Sequence, residues 1–154
     1  MYKKLALAAN GLNAASDELG QVISLLDKAL KTLNLGIAAW VTISGNDACP
    51  PDGYRWFKRE IGYAKVHDKW GITLKTSEGD NRCDEYDEEV ALPFNDAPRW
   101  LRIESIGKIP DLLEQMVKKT EETTRSIKKK TAQASEIAQV IYQMAEKSRL
   151  EQQK

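Results

Sequence analysis

Residues 3 to 33, KKLALAANGLNAASDELGQVISLLDKALKTL, place leucine at positions 5, 12, 19, 26 and 33. A strict seven-residue apolar repeat marks a helix whose seam faces another helix. Ala8, Ala15, Val22 and Ala29 follow the leucines at plus three, and Ala9, Ser16, Ile23 and Leu30 at plus four. The stripe is therefore narrow and small-sided at first, then broad and bulky. The spacing predicts a helix from about Lys3 to Leu33 within residues 1–35, with Gly36 as its stop. Gly11 and Gly20 inside it each cost roughly 1 kcal/mol relative to alanine, so packing must hold this helix.

The seam's partner lies at the other end of the chain. From Pro110 onward, Leu113, Met116, Ile127, Ala134, Ile137, Ile141 and Met144 continue a helical stripe. Proline suits a first helical position, and Asp111 and Glu114 complement the positive end of the dipole. A helix over 110–152 is expected, antiparallel to the first. Leu33 then lies opposite Leu113, Leu19 opposite Ile127, Leu12 opposite Ala134 and Leu5 opposite Ile141.

Between the helices the period changes from helical to alternating. Ile37 to Ser44, Ile61 to His67, Trp70 to Lys75 and Val90 to Phe94 read as four strands. Asp68-Lys69 is the expected turn between the second and third, and Cys49-Pro50-Pro51-Asp52-Gly53 another. Asp96 reads as the N-cap of a short helix over 96–107, with Pro98 in its first turn and Gly107 as its stop. The predicted class is α+β in one domain, 1–154. Two long antiparallel terminal helices, a helical hairpin or coiled-coil stalk, pack on a small antiparallel β-meander over 36–95 and its short helix. Near this head the stripes widen, with Val22, Ile23, Leu25, Leu26, Leu30 and Leu33 on one helix. Ile109, Leu112, Leu113, Met116 and Val117 answer them on the other.

Composition narrows the functional classes. The 154 residues carry 23 Lys plus Arg and 23 Asp plus Glu, so no net field draws nucleic acid or an anionic membrane. Met1-Tyr-Lys-Lys and Leu5 to Ala9 open like a secretory leader, but the apolar run stops at Asn10-Gly11 and the heptad continues through it. That segment is expected to be helix of a cytoplasmic protein, with no membrane association. Cys49 and Cys83 belong to no metal-binding spacing, and reduced thiols are the expectation.

Several segments invite chemistry. Tyr54-Arg-Trp-Phe-Lys-Arg59 interleaves rings with cations, as base stacking on a single strand requires. Lys118, Lys119, Arg125, Lys128, Lys129 and Lys130 make the last helix locally basic, interrupted by Glu121 and Glu122. Arg55, Trp56, Lys58, Arg59, Lys128, Lys129 and Lys130 are the candidate nucleic-acid contacts. Ser77 to Glu89 holds seven acids against Arg82, without the spacing of a calcium loop, and reads as a solvated loop leaning toward the basic stretch. His67 has no spacing partner that makes it a base. Three tryptophans, Trp40, Trp70 and Trp100, could line a small-molecule pocket between sheet and short helix. No phosphate loop, GxGxxG, HExxH or GxSxG occurs, and no cofactor or metal is expected.

The leading expectation is a non-enzymatic scaffold that self-associates, as a dimer, through its terminal helices or recruits another protein there. Its candidate interface is Leu5, Leu7, Leu12, Ile137, Ile141, Tyr142 and Met144, where the stripe widens with no further chain to cover it. A nucleic-acid-associated protein is the alternative, and a small-molecule-binding protein or enzyme the third.

Overall fold

The computed structural model describes residues 1–46 and 55–152, with the backbone alone at 83–86. The order is α1 (Tyr2–Thr32), β1 (Ala39–Gly45), β2 (Arg55–Val66), β3 (Lys69–Asp80), β4 (Cys83–Pro93), α2 (Arg99–Ser105) and α3 (Ile109–Gln152). Single 3₁₀ turns fill Phe94–Asp96 and Ile106–Lys108. The chain divides into two units, Met1–Val117 with the sheet and Lys118–Lys154 with the remainder of α3. The α+β class and the antiparallel sheet are as expected, with strands in the order β1-β2-β3-β4. Cys49, Tyr54 and the turn over 49–53 lie outside the described residues, as does the Cys83 side chain.

The sheet is larger than its hydrophobic alternation suggests. β2 begins at Arg55, so Arg55 to Arg59 is part of an interior strand. Ser77 to Glu89 is not a solvated loop. β3 runs to Asp80, β4 starts at Cys83, and Ser77↔Glu89, Glu78↔Glu88 and Asp80↔Cys83 pair across them. Asp80 locks the tip by accepting from the Arg82 backbone N–H (3.0 Å), Nε (2.9 Å) and Nη2 (2.7 Å). Those bonds hold its carboxyl far below the usual range, at about 2. Glu78 and Glu88 face each other but stay exposed, so water screens their repulsion.

The β2–β3 turn falls one residue earlier than expected, at His67-Asp68, closed by Val66↔Lys69. Both residues are left-handed, with φ of 48° and 63°. Two consecutive positive φ values define the turn that matches strand twist, and Asp and His tolerate them better than most side chains. At the end of α1, Asn34 (φ 48°) takes the first left-handed position, ahead of Gly36. Asp96 sits in a 3₁₀ turn, and Pro98 is the residue that caps α2. Gly107 falls inside the next 3₁₀ turn.

One face of the sheet is apolar, and it decides where the helices lie. Ala39, Ile61, Tyr63, Ile72 and Leu74 bury against Ile23 and Leu30 of α1, Phe94, Leu101 of α2, and Leu112 and Met116 of α3. The leucine column is not the centre of α1's packing. Ile23 is 1% exposed, whereas Leu19 and Leu26 only flank the core and Leu33 is exposed. The column four residues beyond the leucines faces the sheet, because a sheet demands a broad bulky stripe and residues 19 to 30 are where the bulk is. Of the broad faces expected near the head, Ile23, Leu30, Leu112 and Met116 are buried, and Val22, Leu25 and Val117 are exposed. Coiled-coil packing between the terminal helices does not follow from these burials.

The opposite face of the sheet is a polar layer. Gly62 lets the Trp40 ring lie against the β2 backbone; a Cβ there would overlap that ring and stand 2.7 Å from the Ala39 carbonyl oxygen. Lys75 Nζ sits 4.2 Å over the Trp40 ring and 3.0 Å from Glu60, which also holds Lys58 at 2.8 Å. Burial opposes the Glu60 charge, and the two lysines outweigh it and keep its pKa below the ordinary value.

These placements predict a contrast on α1. Ile23→Ala should cost about 2–5 kcal/mol, the usual range for emptying a buried aliphatic site. Leu25→Ala, at 70% exposure, should cost about 0.5 kcal/mol or less. Urea unfolding of the two variants measures both; equal losses would contradict the face assignment.

Candidate functional site

Strand geometry separates the residues of the aromatic-cationic segment. Trp56 and Lys58 point to the polar face and Arg55, Phe57 and Arg59 to the helix-covered face, since successive side chains alternate. Arg59 is fully engaged. Its guanidinium lies 4.9 Å from the Phe57 ring and 4.7 Å from the Trp100 ring, and 3.3 Å from the Glu104 carboxylate. It serves as the clasp between β2 and α2. Lys58 is paired with Glu60. Arg55 and Trp56 line a polar cleft of about 670 Å³ with Asn46, Glu78, Asp80 and Arg82. Lys128, Lys129 and Lys130 are exposed on α3.

The three tryptophans do not converge. Trp70 stacks on Tyr63 with centroids 5.5 Å apart, Trp40 lies on the polar face, and Trp100 covers Arg59. Packed side chains fill the space between sheet and helices. Among the described residues no group of three or more His, Cys, Asp or Glu is placed to hold a metal ion. No described helix is long and apolar enough to cross a membrane. His67 sits in the hairpin turn, where its backbone conformation is its evident contribution.

Asp27 is a polar residue that periodicity does not single out. It lies one turn from Ile23 on the core face of α1, and its Oδ1 accepts the Ile72 N–H at 2.6 Å. The β3–β4 ladder begins only at Thr73↔Pro93, so Ile72 lacks a strand partner on that side. A helix carboxylate thus completes the sheet. Burial raises the Asp27 pKa, against the pull of the Ile72 N–H and Lys31. Burial also raises that of Tyr63, with the Asp27 charge adding to it.

The candidate interface residues are where the apolar surface is. Leu5, Leu7 and Leu12 are exposed on α1, within a run of exposed residues from Met1 to Ala15. Ile137, Ile141, Tyr142 and Met144 are exposed on α3, within a run from Thr124 to Ala145. The first unit also has a concave apolar feature that the heptads do not announce, a groove of about 200 Å³ between α1 and α2. No protein-family model, curated protein or solved structure matches the chain.

The Asp27 contact yields a pH prediction. A carboxyl whose folded pKa is raised binds its proton more tightly folded than unfolded. Its stabilising effect is complete below the ordinary 3.8 and is lost as pH rises through the raised value. Asp27→Asn keeps an acceptor for Ile72 without the charge, so it should be at least as stable as the wild type at pH 7. Asp27→Ala leaves the Ile72 N–H unpaired and should cost about 1–3 kcal/mol. Denaturation midpoints from pH 3 to 7 test this: the wild type should lose stability relative to Asp27→Asn as pH rises.

Proposed function

We propose that this chain is a non-enzymatic interaction protein that self-associates, as a dimer, through coiled-coil contacts of its terminal helices. The observation that carries the reading is the exposed run from Thr124 to Ala145. Within it Ala134, Ile137, Ala138 and Ile141 stand at i, i+3, i+4 and i+7, and Met144 and Ala145 continue the stripe. Ile141 is 61% exposed and Tyr142 69%. From Thr131 to Ala145 Glu136 is the sole charged residue, and interface cores are likewise depleted of charge.

The physical reason is that an apolar stripe left in water is unfavourable. Most helical stability in proteins comes from burying one face, not from propensity. Each large apolar residue of this stripe would contribute about 1.5–3 kcal/mol on burial. Leu5 and Leu12, seven residues apart and both exposed, supply a second such face on α1. A protein partner covering these stripes relieves both, and a second copy carries the same stripes.

Light scattering on the full chain tests the reading. The expected mass is twice 17.3 kDa at micromolar concentration. Replacing Ile137 and Ile141 together by Asp should weaken the dimer at least about a hundredfold, since two buried side chains are lost. A wild-type protein of 17.3 kDa at every concentration would contradict it.

A further inference from the structure

The groove between α1 and α2 has the form of a helix seat. Its α1 wall is Leu12, Ala15, Ser16 and Leu19, an i, i+3, i+4, i+7 face. Its α2 wall, Arg99, Arg102, Ile103 and, just past the helix end, Ile106, repeats that spacing. Two such faces side by side leave a channel into which the ridge of a third helix fits. Ile103 is 55% exposed and Leu12 50%, so the apolar floor is open. At about 200 Å³ the groove is smaller than the roughly 300–1,000 Å³ of pockets that enclose a small molecule, and suits a row of side chains from a helix.

Charge identifies that helix. Arg59, Arg82 and Arg149 each lie on a carboxylate. The two groove arginines do not, among the described residues. Arg99 Nη2 donates to Asn13 Oδ1 at 2.8 Å, and Arg102 Nη2 donates to Ser16 Oγ at 3.2 Å. Arg102 Nε is buried with no acceptor. Two cations at an apolar groove, held only by neutral oxygens, lack a counter-charge, and a docked carboxylate would form charge-assisted bonds with them.

We propose that this groove is the docking site for an acidic amphipathic helix of a different protein. A second copy's α3 has the apolar spacing but not the charge. Glu136 lies roughly 150° round the helix from the centre of the stripe at 134 to 141, at about 100° per residue, and so faces away. The groove's occupant is therefore not a second copy's α3, and the groove shares only Leu12 with the face proposed for self-association.

Two synthetic helical peptides test it on the full-length chain. Both carry leucine at i, i+3, i+4 and i+7; one has glutamates flanking the stripe and the other lysines. By fluorescence anisotropy the glutamate peptide should bind at least tenfold tighter than the lysine peptide. Arg99→Glu, at a position bonded only to exposed Asn13, should reverse that order. Ile103→Asp should abolish binding of both, with the circular dichroism and the oligomeric mass unchanged in either variant. Absence of binding, equal affinity for the two peptides, or an unaltered order in Arg99→Glu would overturn the proposal. A change of oligomeric mass in Ile103→Asp would also overturn it and assign the groove to a second copy.

Discussion

A four-stranded antiparallel sheet with a single apolar face is the constraint on which the remaining structure depends. Ile61, Tyr63, Ile72 and Leu74 cannot be left in water, and among the described residues there is no second sheet to cover them. The chain covers them with the C-terminal half of α1, the single short helix α2, and the first two turns of α3. Leu112 is 0% exposed, whereas Val117, five residues on, is exposed. From Thr124 to Ala145 the residues of α3 are exposed, the apolar ones included.

Polar contacts fix how that cover is seated. Asp27 completes β3 from the helix side, and Asn95 reaches the Gly20 carbonyl oxygen at 3.2 Å and Ser24 Oγ at 3.0 Å. Gly20, a cost to helix propensity, stands where a Cβ would come within 3.2 Å of the Asn95 amide oxygen. Arg59, between Phe57, Trp100 and Glu104, fastens α2 to β2. The same α2 leaves Arg99 and Arg102 beside α1 with neutral partners only. The seven-residue helix that Arg59 fastens to the sheet is thus the one that carries both groove arginines.

Helices and sheet class were legible in the sequence because each has a period that survives in the hydrophobic pattern. The heptad leucines located α1 to within two residues, and the broad face expected near the head held Ile23 and Leu30, but the leucine column itself is not the centre of the packing. Seven-residue spacing reports a helix-on-helix seam, whereas the element that claims α1 is a sheet, which selects the bulkier neighbouring column at Ile23 and Leu30. The strand content of 77–89 was hidden because carboxylates on both faces erase the alternation. What holds that hairpin, Asp80 on Arg82 and a ladder of backbone bonds, has no apolar signature. The arginine-rimmed groove was invisible for another reason. Its two walls lie eighty or more residues apart in sequence and become one surface only when α2 packs beside α1.

Self-association rests on whether the apolar stripe over Thr131 to Ala145 is covered in solution. Amide hydrogen exchange over that segment, followed as protein concentration is raised, reads this directly. Slow exchange whose protection grows with concentration is the expected result, because an unburied helix opens readily and a covered one does not. Fast exchange that is the same at every concentration would contradict it.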